Sequence, residues 1–156
     1  DIRNRWRERW HEWPRYFARN GGACEDGSAT AEQLFCGRYR GGLGYTDLNN
    51  TYFQGLGADA AKAAGWRLSR ACYDWTVGSV LYGSRIVNFV HDQFLIEVPL
   101  DRAHDCAVEV GRIMVEEANK WFPNVPATVT PALATCWSKD CVAVYDEAGH
   151  LVPWSP

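Results

Sequence analysis

The sequence lacks the features that mark membrane-spanning, secreted and strongly basic proteins. No apolar run approaches the roughly 20 residues that span a bilayer, and no signal peptide opens the chain, so we expect a cytoplasmic protein with no membrane partner. The net charge of −3 shows none of the overall positive excess that is typical of many nucleic-acid-binding domains. This balance does not exclude DNA as a partner, because carboxylates elsewhere in a chain can offset arginines that face phosphates.

The six cysteines form no tight framework. Scattered cysteines in a chain without a secretory signal predict buried free thiols. A zinc site is the alternative, although its spacing matches no standard zinc motif. Its ligands would be Cys24, Cys36, Cys136 and Cys141.

Aromatic and apolar side chains, by contrast, are abundant. Hydrophobic residues make up 47% of the 156 residues, with eight Trp and seven Tyr, which predicts one domain with a substantial core. The charge is uneven: residues 1–20 hold six Arg against three acids, which leaves ten basic and sixteen acidic residues in 21–156. The chain begins with Asp1, so we expect a piece or a processed product of a longer protein.

Four aromatic residues near the start have helical spacing and form one stripe of an amphipathic helix. They are Trp6, Trp10, Trp13 and Phe17. We expect Pro14 to kink or split this helix and residues 20–22, Asn-Gly-Gly, to end it. The arginines on the other faces are either solvated or part of a DNA-binding arm.

The rest of the chain alternates between hairpins and helices, which predicts an α+β fold with helices on one face of an antiparallel sheet. Hairpins are predicted by turn residues between β-prone runs, and helices by apolar residues at helical spacing. The expected elements are a hairpin at 33–40 with Arg38 and Arg40 at its turn, a long helix at 46–74, a hairpin of strands 85–90 and 93–98, a helix at 101–122, and strands at 125–135 and 142–145.

The second hairpin carries an unusual turn. Its two apolar strands are joined by His91-Asp92, where Asn-Gly or Asp-Gly is the usual choice because such turns favour positive φ. A carboxylate held on a rigid sheet can bind Mg²⁺, which prefers hard oxygen ligands and takes few of them from protein. The turn therefore predicts a metal site at Asp92, with an ordinary exposed surface turn as the alternative.

Several motifs occur in the order found in one enzyme family. Residues 90–98, Val-His-Asp-Gln-Phe-Leu-Ile-Glu-Val, resemble the C-terminal palm motif of the family A, or DNA polymerase I-like, DNA polymerases. Residues 50–59 are similar to the family's Asn-x-x-x-Gln-Gly-x-x-Ala-Asp helix, and residues 34–40 to its Thr-Leu-x-Gly-Arg-Arg turn. Residues 6–19 resemble the aromatic helix that precedes that turn, so the likeness covers nearly all of the chain. Gln93 in place of the family's Glu, together with the many Trp residues, suggests a phage or otherwise divergent member.

The resemblance implies a palm-type antiparallel sheet whose catalytic hairpin packs against long helices. It implies one C-terminal polymerase segment over residues 1–156. Residues 1–45 would form the helix and hairpin of the junction between fingers and palm, and 46–156 the palm. The expected partners are primer-template DNA, deoxynucleoside triphosphates and an N-terminal polymerase segment, in a bacterial or phage-infected cell.

The same resemblance implies roles for individual residues. Asp92 would be one of two aspartates that hold two catalytic Mg²⁺ ions, and His91 would contact the primer 3′ terminus. Asn50 and Gln54 would contact the minor groove of the primer-template duplex, where hydrogen-bond acceptors are shared by all Watson–Crick pairs. Helix capping is the alternative role for these amides. Arg38 and Arg40 would clamp the DNA backbone.

Three departures from the family pattern bear on activity. Gln93 stands where the family has Glu, and Thr46 stands where it usually has Arg. The family's first metal aspartate and its nucleotide-binding helix precede the matched stretch, so we expect a partner segment to supply both. A non-catalytic DNA-binding or structural polymerase relic is the alternative function. A His-Asp phosphohydrolase is disfavoured, because the remaining histidines form no plausible ligand set.

Overall fold

The computed structural model describes residues 1–24 and 28–156. The fold is α+β, as the element pattern predicts, and the sheets of the described residues are three two-stranded antiparallel hairpins. Residues Asp1–Asp59 and Ala60–Pro156 form two compact units. No helix among the described residues is both long enough and apolar enough to cross a membrane.

The first unit combines helices with one hairpin. Its elements are α1 (Ile2–Arg9), α2 (Glu12–Ala23), β1 (Ala29–Glu32), β2 (Tyr39–Leu43) and the first part of α3 (Tyr45–Tyr73). The small core contains Ala29, Ala31, Leu43 and Leu48, with Cys24 and Tyr52 packed against it. Much of the remaining cohesion comes from aromatic rings of α2 and α3, because Trp13 and Tyr16 both lie within 6 Å of Phe53.

The N-terminal helix is divided, but not where the sequence predicts. The break lies at Trp10 and His11, and Pro14 belongs to the first turn of α2. A proline is tolerated there because the amide groups of a first helical turn have no intrahelical acceptor. The helix also continues through Gly21 and Gly22 to Ala23, one residue beyond the expected end.

The second unit packs a hairpin and two helices around the larger core. Its elements are the rest of α3, 3₁₀ turns at Trp75–Val77 and Leu100–Arg102, β3 (Arg85–Val90), β4 (Gln93–Glu97), α4 (Ala103–Trp121), β5 (Val144–Tyr145) and β6 (Leu151–Val152). The buried cluster is Leu68, Ala71, Cys72, Leu81, Cys106 and Ile113. Burial raises the pKa of the Cys72 thiol to about 11, so the thiol is protonated at neutral pH.

The predicted strand at 125–135 is wrong. Pro126 and Pro131 supply no backbone N–H for a ladder, and this stretch runs as an irregular segment instead. A Cβ built on Gly111 would lie 3.1 Å from Cγ of Pro131, so the segment packs closely on α4. Pairing is confined to its end, where the Trp154 N–H donates to the Leu133 carbonyl at 2.8 Å.

Candidate functional site

The β3–β4 hairpin holds the His91-Asp92 turn between closely paired strands. Val90 lies opposite Gln93 beside the turn, and the Phe89 and Phe94 rings follow with centroids 4.4 Å apart. His91 has φ +57°, a left-handed conformation that costs most residues roughly 1–2 kcal/mol. The usual Asn-Gly turn would avoid this cost, so the hairpin holds an ionisable pair at a position that favours glycine.

The inner face of this hairpin is fixed by the core beneath it. Ile86, Phe94 and Ile96 pack against the buried cluster of the second unit. Gly65 of α3 lies under the Phe94 ring, and a Cβ built there would be 3.1 Å from Cζ of Phe94. The Tyr73 hydroxyl accepts the Ile86 N–H at 3.0 Å. A β-bulge between Ile86 and Asn88 changes the register in the middle of β3.

The His91 and Asp92 side chains project from this support into solvent. Both residues are exposed, and neither has a hydrogen bond or ion pair with any part of the chain that the structure describes. One carboxylate is a reasonable contribution of a single segment to a Mg²⁺ site, because Mg²⁺ usually takes one or two carboxylates from protein and keeps water and phosphate oxygens as its other ligands. The described residues contain no group of three or more His, Cys, Asp or Glu side chains able to hold a metal ion, so further ligands would come from outside them.

The two candidate arginines of the first unit lie against α3. Arg38 forms an ion pair with Asp59, with Nη2 3.0 Å from Oδ1, and the Cys36 thiol donates to Oδ2 of the same carboxylate at 3.1 Å. Arg40 Nη1 donates to the Thr51 hydroxyl at 3.1 Å. The predicted hairpin is present, but Arg40 lies in β2 and only Arg38 in the turn. Both arginines therefore anchor the hairpin to the helix, and 45% of the Arg38 side chain is exposed.

The amide side chains of α3 divide into a buried and an exposed set. Asn49 is buried, accepts a hydrogen bond from Asn20 at 2.8 Å and donates to the Tyr45 carbonyl at 2.8 Å. Asn50 and Gln54 are exposed one turn apart, on the same side of the helix, and have no hydrogen-bond partner in the described ranges. Because neither one caps α3, both remain available to an external partner.

Gln33 is a further amide that packs against α3, and the sequence pattern did not predict this contact. It is 3% exposed, and its amide donates to the Tyr52 carbonyl at 3.2 Å. Its side chain crosses α3 at Gly55, where an added Cβ would lie 1.9 Å from Oε1 of Gln33. The exposed amide of Gln54 is therefore next to a position that must be glycine, because the buried Gln33 side chain fills the space that a Cβ would need. In the sequence, the sign of this contact is Gly55 itself, because a glycine inside a helical pattern can mark close packing.

In the second unit, α3 and α4 are joined by ion pairs. Arg67 Nη1 lies 2.7 Å from Glu116 Oε2 and 3.0 Å from Glu117 Oε1. The hydrogen bond from Lys120, followed by that from Arg67, lowers the pKa of Glu117, which is buried. These residues fix the two helices that support the hairpin, and their charges are already compensated.

The Asn50–Gln54 face belongs to the first unit and the His91-Asp92 turn to the second. No protein-family model, curated protein or solved structure matches the chain.

Proposed function

We propose that this chain is the C-terminal part of a template-directed DNA polymerase of the palm type. It contributes one metal-binding aspartate and contacts to the primer-template duplex, and an N-terminal segment supplies the other aspartate and the helix that binds the deoxynucleoside triphosphate. The main supporting observation is the exposed Asp92, held on a turn with a left-handed His91 above a packed hairpin. The colinear motifs give this turn its chemical interpretation.

In this proposal Asp92 presents its carboxylate to Mg²⁺ at the tip of the hairpin. The bound metal would neutralise developing charge and align a triphosphate for in-line attack. His91 contacts the backbone of the primer terminus and orients its 3′ end. The cross-strand Phe89 and Phe94 rings limit movement of the turn, because their contact resists a change of register.

The exposed face of α3 would contact the duplex. Asn50 and Gln54 offer amide donors to the minor-groove acceptors that all base pairs share. A Cβ at Gly57 would meet no atom within 4 Å, so this part of the helix is open to a close approach by DNA. The exposed part of Arg38 can contact a phosphate while its Nη2 stays paired with Asp59.

Primer extension tests the role of Asp92. The chain is co-expressed with the upstream segment of its coding sequence, and Asp92→Asn is compared with Asp140→Asn, which changes an exposed aspartate elsewhere. Loss of a metal ligand should lower the extension rate by roughly a thousandfold, since metal stabilisation is worth several kcal/mol. The Asp140 variant should match the wild type. Equal activity of both variants would refute the role of Asp92.

Duplex binding tests the α3 face separately. The double change Asn50→Ala and Gln54→Ala should weaken binding to primer-template DNA by roughly tenfold, since each hydrogen bond contributes about 1 kcal/mol. Alanine favours helix, so unfolding would not explain the loss. Asn124→Ala removes an exposed amide beyond α4 and serves as the control. Unchanged affinity of the double variant would contradict a duplex-reading role.

A non-catalytic DNA-binding relic is the second candidate. Gln93 favours it, because the family's carboxylate beside the metal aspartate is replaced by a neutral amide. The relic binds duplex through Asn50 and Gln54 but extends no primer, even when completed by the upstream segment. Restoring the acid by Gln93→Glu would raise extension if the amide merely weakens the metal site, and would leave a relic inactive.

A further inference from the structure

The arginines near the N-terminus differ from those of the second unit in their partners. Arg67, Arg70 and Arg112 each form an ion pair with a carboxylate. Within the described ranges, no carboxylate pairs with any of the N-terminal arginines whose side chains are described. These are Arg5, Arg7, Arg9, Arg15 and Arg19. Their positive charge is therefore available to an external anion.

The same helices carry a row of contacting aromatic rings, and the ring at one end of the row is exposed. The Trp13 ring stacks on Phe17 with centroids 5.4 Å apart and lies 5.7 Å from Trp6. Trp6 is 43% exposed, and Trp10 beside it is 47% exposed. Trp6, which is tilted by 37° against Trp13, therefore offers a ring to solvent at the end of a row of contacting aromatic rings.

A groove joins these rings to the positive charge. It has a volume of about 620 Å³ and is lined by Trp6, Arg7, Pro14, Phe17 and Tyr45. Nucleobases stack on aromatic side chains, and guanidinium groups bind the phosphates between them. An exposed Trp with Arg7 at one groove matches this combination.

We propose that this groove, which we call the Trp6–Arg7 groove, binds single-stranded nucleic acid. An unpaired base stacks on Trp6, and Arg7 binds an adjoining phosphate. Identification of this strand as the unpaired template rests on the proposed polymerase function. The binding itself requires neither Asp92 nor a metal ion.

Three other partners fit the geometry less well. A membrane surface would need the apolar face of the helices for insertion, but Trp13 and Tyr16 of that face are packed against Phe53. An acidic peptide would satisfy the arginines but would supply no base to stack on Trp6. Duplex DNA likewise keeps its bases stacked on one another, which leaves only phosphate contacts.

The test measures affinity by fluorescence anisotropy with a labelled thymidine oligonucleotide of about 16 nucleotides, in EDTA and low salt. Trp6→Ala should bind about tenfold more weakly, because one stacking contact is lost. Trp6→Phe keeps a ring and should retain most of the affinity. Trp137→Ala removes an exposed Trp of the second unit and should bind as the wild type does.

The role of the Arg7 charge is tested by the salt dependence of binding. Arg7→Gln should reduce the slope of log affinity against log salt by about 0.7, as expected when one phosphate contact to a single strand is lost. Lys139→Gln removes an exposed cation of the second unit and should leave the slope unchanged. Circular dichroism confirms that each variant is folded. If Trp6→Ala fails to fold, the salt slope of Arg7→Gln decides the result.

Competing ligands complete the experiment. Tighter binding to phosphatidylserine vesicles or to polyglutamate than to the oligonucleotide would overturn the proposal, as would equal affinity of Trp6→Ala and wild type. Tighter binding of the single strand than of a matched duplex supports it. Because these assays exclude metal, failure here leaves the Asp92 result untouched, and an inactive polymerase leaves this binding result untouched.

Discussion

Gly55 of α3 gives a sharp test of how the first unit is packed. Glycine in a helix interior costs about 1 kcal/mol relative to alanine, so Gly55→Ala would stabilise an isolated helix. In this protein the new methyl group would lie 1.9 Å from Oε1 of Gln33 and 2.7 Å from its Cδ. The Gln33 side chain must move, which breaks its hydrogen bond to the Tyr52 carbonyl.

The magnitudes decide the direction of the effect. A buried amide left without its partner costs roughly 1–3 kcal/mol, and displacement of a packed side chain adds to this. The gain in helix propensity is about 1 kcal/mol. We therefore expect Gly55→Ala to lower the free energy of unfolding by about 1–2 kcal/mol, measured by urea denaturation at constant m-value.

Gly57 is the matched control. It lies two residues further along α3, and a Cβ built there meets no atom within 4 Å. Gly57→Ala should therefore raise the free energy of unfolding by about 0.5–1 kcal/mol. In a Gln33→Ala background, Gly55→Ala should lose its penalty, because the obstructing amide is gone. Equal stabilisation by both glycine substitutions in the wild type would refute the packing of Gln33 across α3.

Two further predictions concern the second unit. His91→Gly should stabilise the chain by up to about 1 kcal/mol in thermal or urea unfolding, since glycine accepts the positive φ, yet lower primer extension. His91→Ala should lower extension without that stabilisation, and extension unchanged in both variants would count against a role for the imidazole. For Asp74, hydrogen bonds from Thr76 and then Arg70 lower the pKa to about 2. Its contribution to stability is complete above the ordinary value of 3.8 and lost as pH falls towards 2, and Thr76→Val should move its NMR titration midpoint upward.

The elements with strong periodicity were predictable from the sequence. The α3 helix, Tyr45–Tyr73, agrees with the expected 46–74 because alanines and spaced apolar residues favour helix throughout. Both strands of the His91-Asp92 hairpin begin where expected, and β4 ends one residue early at Glu97, before Pro99. These features depend on local sequence, and local sequence was enough to find them.

Features that depend on distant partners were not predictable. Arg38 and Arg40 were interpreted as contacts to DNA, but their partners Asp59 and Thr51 lie 21 and 11 residues further along the chain. Only the packing of β1 and β2 on α3 brings these side chains together. The candidate metal turn was found because His-Asp is unusual between two apolar strands, although its positive φ at His91 became visible only in the structure.

The strain at His91 and the packing below it are best understood together. A left-handed histidine would relax if the strands could slip, and a slip of β4 by one residue would turn each of its side chains to the opposite face. Such a slip would move Phe94 from Gly65 and the buried cluster into solvent. The slip would expose both Phe94 and Ile96, which are partly buried against that cluster. Full burial of one such side chain is worth about 1.5–3 kcal/mol, which equals or exceeds the roughly 1–2 kcal/mol of backbone strain. The core therefore holds the turn in its strained form, and the position of Asp92 is set by residues distant from the tip.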